Sequence, residues 1–388
     1  MSPESAAVRA VYAAFVVNGF AFASWASRIP QVKAQLELSA AELGFVLFAI
    51  AVGSVVGLPL SGPIIHRFGS RRCVAVGSAL SGTALVGVAL SLDVGVIPVV
   101  LGLVLTGYGM ASWDVAMNVQ GALVEQRIGR AIMPRFHAGF SFGTVGGALG
   151  GVAMVALDVP VSVHLAVVGA AVAVGLPLAV RAFLPDREDE DEAPSYGFRA
   201  WKEPRTLLVG VFVLAFAFAE GAGNDWIGVA LIEDHGAADA IGTLGLAAFL
   251  TAMTAVRWVG PGLLERHGRV KIVRGLAVLS VIGLGLFCFG PSTGVAIAGA
   301  VLWGAGLALG FPVGMSAGAD DPALAAARVS VVSSIAYCAF LAGPPLLGVL
   351  GEHSSVSRAL IAVIALLGLA ALIAGAVRPL ATSSTTPR

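Results

Sequence analysis

Twelve stretches of this chain are apolar for long enough to cross about 30 Å of hydrocarbon at roughly 1.5 Å per residue. They lie near 9–29, 42–65, 73–92, 96–119, 135–157, 160–183, 206–231, 241–264, 271–290, 294–317, 327–350 and 356–378. Nothing else in the sequence narrows the fold as far. A backbone N–H or C=O inside the bilayer has no water to turn to, so each stretch must bond to itself as an α-helix. Composition agrees, because only 12% of the 388 residues are charged, against about 25% in an ordinary soluble domain. The expected class is an all-α integral membrane protein with the lipid bilayer as its first partner. A net charge of zero offers nothing to a nucleic acid. Cys73, Cys288 and Cys338 lie far apart, in or beside apolar runs, with no metal-ligand spacing. Neither a metal nor a cofactor is expected.

The first run carries only Arg9 ahead of it and many spans behind it, so it reads as an uncleaved helix rather than a leader. Cations then orient the spans. With both termini in the cytoplasm, the cytoplasmic segments hold 19 of the 23 Lys and Arg. The outer loops hold Arg28, Lys33 and Arg358, and Arg257 falls inside a span. The excess of cations on one side decides that orientation, in a cytoplasmic (inner) membrane.

The longest connection, "PDREDEDEAPSYGFRAWKEP" at 185–204, reads as a solvated, mobile linker. Its acids lack the glycine-punctuated spacing of a calcium loop. On either side of it the chain echoes itself. "GPIIHRFGSRR" at 62–72 answers "PGLLERHGRVK" at 261–271, and "TGYGM" at 106–110 answers "WGAGL" at 303–307. The division is therefore a six-helix bundle over 1–184, a linker over 185–205 and a second bundle over 206–388. A duplicated unit in parallel orientation is a transporter architecture.

At this point the chain resembles the major facilitator superfamily over nearly its whole length. The loop after the second span resembles that family's G-x-x-x-D-R-x-G-R-R signature through Gly62, Arg67, Gly69, Arg71 and Arg72. His66 stands where the signature has an aspartate. The resemblance implies a cytoplasmic gate here and in the second copy, at Glu265, Arg266, Gly268 and Arg269. "GTVGGALGG" in span five resembles a glycine-rich motif of the family's exporters, but lacks its proline. "ASWASRIPQVK", "WDVAMNVQG" and "EGAGNDW" resemble more narrowly an uncharacterised bacterial inner-membrane subgroup.

Charged groups inside the spans point to function. A carboxylate at the centre of a membrane helix costs roughly 2.5–3.5 kcal/mol on insertion scales. Glu220 lies near mid-bilayer with Asn224 one turn on, and Gly221 and Gly223 are expected to loosen the helix there. Facing a wet cavity, it can be neutral when sealed from water and charged when water reaches it, so it is the expected proton carrier. Asp114 is its rival. Asp114 and Asn118 share a face of span four, and the matching positions of span ten are Phe311 and Met315. His137 is a candidate partner for Asp114, and Asp225 a candidate outer-gate group. Residue counting sets Arg257 closer in depth to Asp114 than to Glu220, without naming its partner. Asn18, Trp25, Trp113, Trp303 and Tyr337 complete the expected cavity lining.

No G-x-x-x-x-G-K-[ST] loop is present to power a pump, and no H-E-x-x-H motif or nucleophile–base pair to run an enzyme. The expected function is proton-coupled, alternating-access transport of a small organic solute, with export preferred over uptake of a polar nutrient. A non-transporting receptor on the same scaffold is the remaining alternative. A monomer is expected.

Overall fold

The computed structural model describes residues 3–130, 132–186, 198–321 and 324–380. Twelve helical spans among them are long and apolar enough to cross a membrane, and none of the described residues forms a strand. The first bundle comprises α1 (Pro3–Ala26), a short α2 (Ile29–Gln35), α3 (Ala40–Phe68), α4 (Ser70–Ser91), α5 (Val96–Ile128), α6 (Met133–Ala156) and α7 (Val161–Ala179). The second comprises α8 (Pro204–Glu233), α9 (Asp239–His267), α10 (Arg269–Phe289), α11 (Thr293–Leu307) and α12 (Gly310–Gly318), then α13 (Ala325–Glu352), α14 (Val356–Ala359) and α15 (Ile361–Ile373). All twelve expected runs are helical, and the fold is the expected pair of six-span bundles. Most of the acidic linker lies outside the described residues.

Local chemistry explains the boundaries. Ser39 opens α3 as a capping box: its hydroxyl accepts the Glu42 N–H, and the Glu42 carboxylate accepts the Ser39 N–H. α3 ends at Gly69 with φ 82°, and α9 ends at Gly268 with φ 78°. Both angles lie where a Cβ is strained, so the two signature loops turn alike for the same reason. The repeat is thus visible in the backbone. The glycine-rich stretch of α6 has a plain packing role: a Cβ on Gly143 would sit 2.1 Å from the Val16 carbonyl oxygen of α1. α6 runs unbroken past it.

One departure matters for the site. Unwinding was expected at Gly221 and Gly223, but α8 runs unbroken through both. Gly223 instead makes room for the Phe249 ring. The break lies in span ten, between α11 and α12. Pro312 has no N–H to give the Ala308 carbonyl four residues earlier, so the α-helical ladder loses a bond there. The signal was present as "LGFP" at 309–312.

The bundles meet unevenly. At the end remote from the linker, Lys33 pairs with Glu233, Gln31 Nε2 donates to Asp239 at 3.2 Å, and the Ala41 N–H donates to Glu352 at 3.4 Å. The molecule is sealed at its far end.

Candidate functional site

Glu220 and Arg257 find each other. Arg257 Nη2 reaches both Glu220 oxygens, at 3.2 and 3.0 Å, and Arg257 Nε donates to the Ala308 carbonyl at 3.1 Å. The guanidinium therefore ties α8 to the break in span ten and fills the place of the N–H that Pro312 lacks. An arginine among membrane helices is costly unless it is paired or faces water. This one is paired, with its side chain 26% exposed and that of Glu220 22% exposed. Counting residues along helices set Arg257 nearer in depth to Asp114 and left its partner open. The long arginine side chain overcomes that difference in depth, and counting takes no account of helix tilt.

Asp114 and Asn118 face the second bundle from α5, both half-buried. Asn118 Nδ2 donates to the Asp114 backbone carbonyl at 2.8 Å, which leaves the Asp114 carboxylate without a hydrogen bond among the described residues. Tyr337 of α13 lies within electrostatic reach of Asp114, and His137 of α6 within reach of Arg257. His137 stacks edge-on against Phe15 at 5.0 Å. It therefore faces the arginine across the seam and makes no bond to Asp114. Phe340 joins this wall, 6.4 Å from the Tyr337 ring and against Gly221.

Other expected lining residues sit elsewhere. Trp113 and Trp303 have no exposed surface. Trp113 packs over Gly77 of α4, and Trp303 packs edge-on against Phe249 and Phe287. Both are bundle-core anchors and not walls of a wet cavity in this conformation. Trp25 and Asn18 are also buried, with Asn18 Nδ2 4.0 Å from the Met117 sulfur. Asn224 is buried and its side-chain oxygen has no hydrogen-bond partner among the described residues. Asp225 is half-buried, without a hydrogen bond among the described residues. An apolar side chain and an indole share the same helical spacing, so sequence alone could not separate core from cavity.

With this geometry in hand, the chain was compared with known proteins. A family model described as Major Facilitator Superfamily matches residues 11–325. The chain belongs to that superfamily. An uncharacterised MFS-type transporter of Yersinia pestis is 31% identical over 89% of each chain. An uncharacterised transporter of Sinorhizobium fredii is 30% identical over 89% of this chain and 92% of its own. Among solved structures, the nucleoside transporter NupG (D323A mutant) superposes with a TM-score of 0.80 at 14% identity, covering 97% of this chain and all of that one. A bacterial homologue of the lysosomal transporter Spinster gives 0.75 at 15% identity, over 97% of each chain. The structural likenesses share the superfamily fold.

The signature loops depart from the superfamily pattern in an instructive way. His66 and Arg67 are exposed, as are Arg71, Arg72, Glu265 and Arg266, and none of the six has a hydrogen bond or ion pair among the described residues. Gly62 faces open space. The acid that His66 displaces enters from the linker instead. Asp186 accepts the Ser70 N–H at the start of α4 at 2.7 Å, and Gln120 Nε2 binds both Asp186 and the Leu184 carbonyl. The sequence reading missed Asp186 because it opens an acidic run that reads as solvated. In the second copy Arg269 and Arg205 converge on Asp320, at 2.6 and 2.9 Å.

Proposed function

We propose that this superfamily transporter exports a small amphiphilic organic solute across the cytoplasmic membrane by alternating access, driven by protons through Glu220. The Glu220–Arg257–Ala308 bridge carries the reading. Protonating Glu220 removes the charge that holds the guanidinium, which changes the brace on the broken span without breaking any covalent bond. A permanent cation such as Arg257 cannot itself take up and release the proton. The 19-to-3 cation split supports placing the linker end and both termini in the cytoplasm. The sealed far end then makes this an inward-facing arrangement.

Export is supported by the wall beside the ion pair. Tyr337 and Phe340 contribute aromatic surface, while the amides of Asn18 and Asn224 are withdrawn into packing. Aromatic surface beside one or two carboxylates suits an amphiphile.

The test has two parts. Metabolite profiles of cells with and without the protein should differ in a solute retained inside when it is missing. In proteoliposomes, an imposed pH gradient should then drive that solute uphill. Uphill movement in the uptake direction would reverse the assigned direction. Flux indifferent to the pH gradient would remove proton coupling, and no flux of any solute would leave the receptor reading in place.

A further inference from the structure

At the linker end of the second bundle, a cavity of about 670 Å³ opens between the start of α10 and the segment after α15. Five cationic or titratable side chains line it: His267, Arg269, Lys271, Arg274 and Arg378. Among the described residues, no aspartate or glutamate does. Arg269 is already committed to Asp320 and Ser316, and Arg274 gives its Nε to the Ala371 carbonyl. Lys271 and the Arg378 side chain have no hydrogen bond or ion pair among the described residues. Like charges gathered around one cleft repel one another, and a built cleft of one sign calls for a counter-charge from outside.

The matching place in the first bundle carries an acid, which bonds the neutral Ser70 N–H and the Gln120 amide and no cation. After span six the chain reads "VRAFLPD", and Asp186 turns back onto the start of α4. After span twelve it reads "VRPLATSSTTPR", which contains no acid. Arg181 and Arg378 occupy matching places in these two segments, but only the first is followed by a carboxylate.

Apolar surface identifies the counter-charge as part of an amphiphile. Val270 and Val278 floor the cavity. From Val278 an exposed apolar stripe continues along α10 through Ile282, Leu286 and Phe289 at helical spacing. An acyl chain laid along that stripe would carry its headgroup into the cationic cleft. We propose that this cleft binds an anionic phospholipid of the surrounding leaflet, its phosphate held by Lys271, Arg274 and Arg378. The proposal does not depend on the transported solute or on proton coupling.

The experiment uses the full-length protein in mixed micelles of phosphatidylglycerol and phosphatidylethanolamine, with retained lipid read by native mass spectrometry. Wild type should keep phosphatidylglycerol in preference. Lys271→Gln with Arg378→Gln should weaken that binding about 30-fold, the order expected for two juxtamembrane cations. Arg71→Gln with Arg72→Gln, on the matching face of the first bundle, should leave it unchanged. Should the double variant not fold, Lys271→Gln alone, an exposed side chain, should still give a several-fold loss. Equal retention of the two lipids by wild type, or an undiminished preference in the cleft variants, would overturn the proposal. An equal loss in the first-bundle control would overturn it too, by showing general attraction to a basic face. Inorganic phosphate in millimolar excess is the last arm. Failure to displace the lipid supports an amphiphile, and full displacement would reassign the cleft to a soluble phosphate.

Discussion

Span four and span ten occupy matching places in the two halves, yet only one of them is broken. α5 runs unbroken for 33 residues and carries its acid, Asp114, without a hydrogen bond to the carboxylate. Span ten stops at Leu307, restarts at Gly310 and carries no acid at the matching position, Phe311. Its charge is brought from α9, by an arginine that bonds the freed carbonyl and the Glu220 carboxylate together. Duplication supplies the scaffold twice, as the matching glycines at 69 and 268 show. On the proposed reading, the coupling chemistry resides where the copies disagree: one half offers an acid for the solute, and the other an acid engaged with the broken span.

The largest effect should come from cutting the engaged acid. Glu220→Gln keeps the size and hydrogen bonding but neither charges nor titrates. It should abolish accumulation driven by a pH gradient in proteoliposomes while leaving solute binding and downhill exchange largely intact. If Asp114→Asn alone uncouples transport and Glu220→Gln does not, the two halves have been assigned the wrong way round.

Mending the break comes next. Pro312→Ala restores an N–H for the Ala308 carbonyl and so competes directly with Arg257. Removing a proline from a helical run relieves up to about 3 kcal/mol of disruption, so the melting temperature should hold or rise while uphill flux falls several-fold. A drop in melting temperature with flux preserved would show that the break is needed for folding and not for movement.

Much of this contrast was legible beforehand, and its limits are physical. The spans follow from solvation, which acts residue by residue, and the duplication from segments that repeat on either side of the linker. Glu220 and Asp114 stood out because an acid among apolar neighbours is costly wherever it points. The indoles of Trp113 and Trp303 did not reveal their direction, because large apolar groups suit core and cavity equally. Arg257's partner depended on side-chain reach, which spacing along a helix does not report. Pro312 marks Ala308 as a carbonyl without its usual helical donor, but proline alone does not fix a break, since α3, α9 and α13 run unbroken through their own prolines.

Asp114→Asn tests the other side of the comparison. Among the described residues its carboxylate accepts no hydrogen bond, so its removal should act on the solute. The concentration giving half-maximal flux should rise about tenfold, the order of one hydrogen bond to a charged group, with the proton-to-solute ratio unchanged. A changed ratio would make Asp114 part of the coupling and blur the division between the halves.

The smallest effect concerns how each half secures its linker end. The first uses one carboxylate on a neutral N–H and an amide, whereas the second relies on ion pairs, among them Arg328 Nε to Glu203 at 2.6 Å. Glu203 lies outside the spans, and the hydrogen bond from Arg328 holds its carboxyl below the ordinary value of 4.5 against the weaker opposing effect of burial. A carboxyl lowered by folding stabilises the protein fully above its unfolded value and loses that contribution as pH falls through the folded one. Glu203→Gln should therefore lower the melting temperature slightly at neutral pH, for a contribution of at most about 1 kcal/mol because the pair is partly exposed. The gap between variant and wild type should close as pH drops below the ordinary carboxylate range, and also at neutral pH in high salt, where the pair is screened. A gap that persists in acid would mean that Glu203 acts through its hydrogen bond to the Thr206 hydroxyl, at 2.9 Å, and not through charge. In that case both halves would secure their linker ends by hydrogen bonding, and this contrast between them would disappear.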